Sequence, residues 1–273
     1  MAKKPWIRFY SIEKGLSQRF PWIASRKLSR PWRVKAQKEL SKDPTTRCPA
    51  LKLQRMVQMS KVTNQPTIFP MHAATCPALT GVMDSGFIMT AAYDFVISME
   101  NGEMFFMSKG ERIHLHSPEQ TDGMREFISD KPIHPVVIKL QQPWRVHAHK
   151  DVCFLQLPVT YHKEERFSVA TGIADPTYSY EINLQLFWHM LEDGQYLIEA
   201  GTPLAQWIPI HRDYLNPSNF NVEIEDANDD DYVAEDYWQY HMRNTFAELQ
   251  PLKVRKKIHQ FIVSLNKNSK RFE

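Results

Sequence analysis

Two His-x-His pairs stand out among the eleven histidines of this 273-residue chain: His114-Leu115-His116, and His147-Ala148-His149 with Asp151 close behind. Residues two apart on a β-strand share a face, so either pair would present both imidazoles together, as a β-barrel presents two ligands to a divalent metal. Such a centre also needs a carboxylate and a third imidazole at matching strand positions, and the segment from Cys153 to Val159 supplies neither. His147, His149 and Asp151 are therefore the candidates if a metal binds. The simpler reading is polar strand-face histidines, and no metal or other cofactor is expected. A second run, Asp226-Ala227-Asn228-Asp229-Asp230-Asp231, has oxygen donors at alternate positions. Its sixth position, where a calcium loop turns on glycine, is Asp231, which argues against calcium. Cys48, Cys76 and Cys153 are odd in number and lack a Cys-x-x-Cys pair. They argue against a disulfide framework or zinc knuckle and predict buried, inert thiols in a reducing compartment.

Charge is unevenly placed along the chain although the net is only +3. Residues 1–38 carry eleven lysines and arginines against the single acid Glu13, with Trp6, Trp22 and Trp32 each directly after a proline. Two readings of this extended, proline-stiffened basic arm stand side by side. In one, Arg26, Lys27, Arg30, Arg33 and Lys35 meet nucleic acid or an acidic partner. In the other, which is favoured, the arm packs as strand and loop on the protein's own body with its charges solvated. An acidic block around 223–236 is answered by Lys253, Arg255, Lys256 and Lys257, a pattern that suggests pairing within or between subunits. Nine glycines against eighteen prolines, with no Gly-x-Gly-x-x-Gly and no P-loop, exclude Rossmann and P-loop nucleotide folds. No apolar run approaches the ~18 residues of a bilayer helix, and residues 1–15 lack the apolar stretch of a signal peptide, so neither a membrane span nor secretion is expected.

The elements that must position these groups read as strands. Alternating or apolar runs at 86–99, 102–108, 111–117, 135–146, 152–160, 166–170, 180–188 and 205–210 are separated by Asn101-Gly102, Lys109-Gly110, Asp193-Gly194 and Ala200-Gly201 turns. Residues 122–129 read as one helical turn. The single long helix signal is C-terminal, where Ile258, Phe261, Ile262 and Leu265 recur at helical spacing behind Pro251. The expected organisation is a basic arm (1–45), a β-rich core (46–215), an acidic loop (216–240) and a basic amphipathic helix and tail (241–273). Gly201 is expected to hold a backbone conformation that a side chain would resist.

Gly172-Ile173-Ala174-Asp175-Pro176-Thr177-Tyr178 leads into the strand at 180–188 and is followed by Gly201-Thr202-Pro203-Leu204-Ala205-Gln206. In order and spacing these segments resemble two motifs of the dUTPase and dCTP deaminase superfamily, and Ala91-Ala92-Tyr93-Asp94 is similar to an earlier one. The resemblance covers about residues 165 to 210 and implies a mainly β, β-clip-like distorted barrel or sandwich, with trimers to be tested for. It assigns Asp175 to orienting an attacking water as general base and Tyr178 to packing on a nucleoside. The chain departs from the pattern where phosphates would be held. No Arg-Ser-Ser precedes Gly172, no glycine follows Gly201, and the deaminases' catalytic glutamate is replaced by Gln185. A scaffold stripped of catalysis is thus expected, with Asp175 accepting backbone N–H bonds in an Asp-Pro turn and Tyr178 serving as a core aromatic.

A broader course, from Cys76-Pro77-Ala78 through Gly81 to Ile88, then Pro143-Trp144-Arg145 and Gly201 to Pro209, resembles an uncharacterised family encoded mainly by tailed bacteriophages. That resemblance implies a viral origin. The expected function is a non-catalytic structural or assembly protein, in a virion or host cytoplasm, binding other virion proteins or its own copies through its terminal extensions. The alternatives are a divergent dUTPase-like nucleotide hydrolase using Asp175 and Tyr178, a His-ligated metal-dependent enzyme, and a nucleic-acid binder working through the basic arm.

Overall fold

The computed structural model describes residues 4–42, 73–110, 112–121, 132–228 and 231–232. The expected C-terminal helix, the helical turn at 122–129, Cys48 and Asp230 lie outside the described residues. By contacts the chain divides into two units, Met1–Arg30 with Pro77–Asn221, and Pro31–Cys76 with Val222–Glu273.

The first unit is mainly β, as the sequence pattern requires. Residues alternate faces along each strand, and burying one face per strand assembles three antiparallel sheets. One sheet runs β1 (Ile7–Ser11), β7 (Val137–Ala148), β11 (Glu181–Trp188), β9 (Phe167–Val169), with β6 (Arg112–His116) also on β7. A second runs β10 (Gly172–Ala174), β8 (Val152–Leu157), β13 (Pro203–His211), β3 (Phe87–Thr90), β2 (Ile23–Ala24). The third is β12 (Gly194–Ile198), β4 (Phe95–Glu100), β5 (Glu103–Ser108). No sheet closes into a barrel among the described residues. In β11, Ile182, Leu184 and Leu186 are fully buried while Glu181, Asn183 and Gln185 face outward, which is the expected alternation. Aromatic side chains join the two larger sheets: Phe9 of β1 stacks on Trp22 at 4.0 Å and meets Phe87 and Phe154, and Trp22 meets Trp144 and Trp207 edge-on. Residues 7–24 of the basic arm are thereby part of the core sandwich, with β1 completing one edge of β7 and β2 one edge of β3.

Three expectations change. The strand expected at 86–99 is two strands in two sheets, because the chain breaks at Ala91–Asp94 to pass from β3 to β4. There Ala91 exchanges backbone bonds with the 201–202 turn, donating to Thr202 O (2.9 Å) and accepting from Gly201 N–H (2.8 Å). The far end of the arm, expected to be extended, is helical as α2 (Pro31–Lys42), after the four-residue α1 (Leu16–Arg19). Pro31 opens α2, where its missing N–H costs nothing, and Ala36, Gln37, Lys38, Glu39 and Leu40 are strong helix formers. A third helix without a counterpart in the sequence reading, α3 (Pro77–Asp84), also opens on proline. No helix among the described residues is long and apolar enough to cross a membrane.

Candidate functional site

The segment Gly172–Ser179 forms one wall of a cleft of about 380 Å³. Among the described residues strand β10 lies at a sheet edge, paired only with β8, while the ladder from β11 to β9 covers only Leu186–Trp188. Residues of β10, of β11 before Leu186 and of the connection between them line the cleft. Gln156 and Trp207 line the base. Their side chains satisfy one another, Trp207 Nε1 donating to Gln156 Oε1 at 3.0 Å and Gln156 Nε2 to Ala170 O at 2.9 Å. The amides of Asn183 and Gln185 also line the cleft, with no side-chain hydrogen bond among the described residues.

Asp175 lines the cleft with both carboxylate oxygens hydrogen-bonded. Oδ1 accepts from Thr177 N–H (2.9 Å), Thr177 Oγ1 (2.8 Å) and Arg212 Nη2 (2.7 Å), and Oδ2 accepts from Arg212 Nη1. The Asp175 backbone carbonyl accepts in turn from Tyr178 and Ser179 N–H, closing a tight turn. The Arg212 hydrogen bonds outweigh partial desolvation and, with Thr177, hold the Asp175 carboxyl down to about 2. A group so acidic, with both oxygens bonded, is a poor proton acceptor near neutral pH, where a general base needs a matched pKa. The other acid in the cleft, Glu181, pairs with Arg145 at 3.3 Å, while Arg145 also donates to the carbonyls of Gln142 and Trp144 at 2.9 Å. Among the described lining residues none is lysine, arginine or histidine. The cleft thus offers neutral amides, strand edges and aromatic surface, and neither an unpaired carboxylate nor a cation for phosphate.

Tyr178 is 89% exposed at the rim, which corrects the expectation of a core aromatic. The Asp-Pro turn closes on backbone bonds and the Asp175 carboxylate, and this leaves the ring outside. The expected N–H bonds to Asp175 are present. Arg212 and Thr177 are the partners that sequence reasoning missed. The Thr177 bond was detectable as an Asx-type contact two residues on from an aspartate, whereas nothing near Arg212 marks a partner so far back in the chain.

The remaining motif residues act as framework. Gln206 is fully buried and uses its whole amide: Oε1 accepts from Thr160 Oγ1 (2.8 Å) and N–H (3.3 Å), and Nε2 donates to Val82 O and Ser85 O (both 2.8 Å). Ala205 is fully buried beside it. Gly201 holds φ +90° with the Phe20 ring 3.4 Å from where a Cβ would sit, in accord with the expected turn. Gly172 has open space at the same point, so its position does not require a glycine.

Of the basic arm, Arg26, Lys27 and Lys35 are exposed and Arg33 is half-buried. Arg30 departs from the expectation of a solvated charge. It is buried, donating from Nε to Thr160 O (3.0 Å) and from its two Nη to Ser25 O (3.2 Å) and Ser25 Oγ (3.3 Å). It takes these carbonyls because the segment folds back onto the loop at 160. His147 lies 3.4 Å from the Tyr10 hydroxyl and His149 Nδ1 lies 3.2 Å from Asp151 Oδ2. No three His, Cys, Asp or Glu side chains among the described residues converge as metal ligands. Asn228 and Asp231 exchange side-chain-to-backbone bonds at 3.0 and 3.3 Å. Cys153 is buried, and burial pushes its thiol pKa up, as an inert thiol requires; Cys76 is half-buried.

Compared with known protein families and with curated proteins, the chain matches none. Among solved structures, the native EIAV dUTPase overlays with a TM-score of 0.29 and 12% identity, over 53% of this chain and 87% of that one. The mainly β assignment rests on the strands and sheets described above.

Proposed function

We propose that this chain is a non-catalytic structural or assembly protein, of the kind a tailed bacteriophage encodes, which works by binding neighbours and turns over no substrate. One observation carries the proposal: both oxygens of Asp175 are committed to Arg212 and Thr177, so the group best placed for general-base chemistry is a structural clamp. The absence of cations from the described cleft lining supports it, because triphosphate hydrolysis draws much of its rate from donors aimed at the developing phosphate charge. The resemblance of the 76–88 and 201–209 segments to phage proteins supplies the setting. The cleft, with its neutral amides, belongs in this reading to recognition.

Purified protein incubated with Mg²⁺ and a panel of nucleoside mono-, di- and triphosphates should leave every nucleotide intact. Turnover abolished by Asp175→Asn would overturn the proposal in favour of a divergent nucleotide hydrolase. Mass spectrometry of purified particles of the encoding phage should recover the chain, and recovery from the host lysate alone would count against an assembly role.

A further inference from the structure

Strand β5 ends its sheet with three large apolar side chains in a row, Phe105, Phe106 and Met107, exposed by 48%, 43% and 65%. Its hairpin partner β4 is joined to it by the two-residue turn Asn101-Gly102, with φ of 52° and 80°, and the first ladder pair is Glu100 with Glu103. In such a hairpin the flanking pair is hydrogen-bonded, and the alternation then turns the N–H and C=O of Glu103, Phe105 and Met107 toward β4. Those of Met104, Phe106 and Ser108 face the other way, where no strand lies among the described residues. An apolar edge with a row of unpaired backbone groups is a template for another strand.

We propose that this edge is a self-association surface, on which β5 of a second copy pairs antiparallel about a two-fold axis at Phe106, joining two three-stranded sheets into one of six. The inference does not depend on the reading of Asp175.

Backbone matching and charge select this register. Outward-facing residues must meet outward-facing residues, so the axis must pass through a residue and not between two. Centred on Phe105, Glu103 would face Met107; centred on Met107, Lys109 would face Phe105. Centred on Phe106, Met104 pairs with Ser108, Phe105 with Met107, and Glu103 with Lys109, twice over by symmetry. Glu103 and Lys109 are both exposed and form no ion pair among the described residues. Within one copy Glu103 lies directly across from Glu100, a like-charge pairing that costs stability and that a lysine from the second copy relieves. On the outer face, Leu197, Val96 and Met107 already form a row across the three strands, and Phe105 of the second copy extends it.

The test is sedimentation velocity of the full chain over a concentration series, for the wild type, Glu103→Lys, Lys109→Glu and the double swap. The wild type should dimerise, each single reversal should weaken dimerisation by about tenfold because two attractions become two repulsions, and the swap should restore it. Hydrogen exchange at Met104, Phe106 and Ser108 should slow as concentration rises. A chain that stays monomeric at its solubility limit, an oligomer indifferent to both reversals, or a swap that fails to restore association while far-UV circular dichroism shows a folded chain would each overturn the proposal.

Discussion

Asp175 and Arg212 are joined by a two-pronged ion pair across 37 residues of chain, so that the turn after β10 is tied to the 3₁₀ turn Arg212–Leu215 that follows β13. The pair also takes from Asp175 the freedom that acid–base work would need.

The titration of Asp175 should report this pair directly. Arg212→Ala should raise the Asp175 pKa from about 2 back toward roughly 3.9, the unperturbed value, as read by carboxyl chemical shifts against pH. An unchanged pKa would mean that Thr177 alone sets the acidity.

The same shift has a consequence for stability with a definite sign. The folded pKa lies below the unfolded one, so between them the unfolded chain binds more protons and stability falls as pH drops. The contribution of Asp175 is complete above roughly pH 4 and disappears as pH falls through about 2. Chemical denaturation of the wild type and Asp175→Asn from pH 6 to pH 2 should give midpoints that converge at the acid end. A constant gap between them would contradict the linkage.

At Gly86, φ is +72° and a Cβ would sit 2.1 Å from the carbonyl oxygen of Trp207, a backbone atom that cannot swing away. Gly86→Ala should therefore separate β3 from β13 and lower the melting temperature severely. Gly201→Val, at φ +90°, should also unfold or aggregate the protein through strain in the turn itself. A normal melt for either variant would show that the turn relaxes without cost.

Gln206→Leu keeps the volume but removes the amide from Ser85 O, Val82 O and the two Thr160 donors, of which Val82 O keeps the Ser85 N–H. The loss should be about 2–4 kcal/mol, since each polar group left without a partner retains its desolvation penalty. Urea unfolding measures it, and a loss below about 1 kcal/mol would show water replacing the amide.

Trp22→Ala should remove the plate on which Phe9 stacks and cost on the order of 3 kcal/mol. Limited proteolysis should then cut early between β1 and α2. Resistance equal to the wild type would mean that β1 pairing alone retains the segment.

Much of this was legible in the residues themselves. Alternation in 180–188, the Asn101-Gly102 turn and the special backbone at Gly201 follow from side-chain periodicity and from which residues tolerate positive φ. Both are properties of a few neighbouring residues. The strand at 86–99 misled because apolar content says nothing about which sheet a strand joins, and the break at Ala91–Asp94 depends on the distant turn at Gly201. For the same reason α2 escaped notice: its propensities are helical, but the cations and prolines before it suggested an extended arm.

Local pattern by itself determined that this is a mainly β protein and which short segments form its framework, because strand and turn preferences act over a handful of residues. Tertiary structure alone decided what the polar groups do. Gln206 spends its donors on backbone carbonyls and Arg30 spends its on two carbonyls and the Ser25 hydroxyl, Tyr178 stands in solvent, and Asp175 is captured by Arg212, since each outcome depends on groups brought together by the fold, and burial makes any unpaired charge or amide costly.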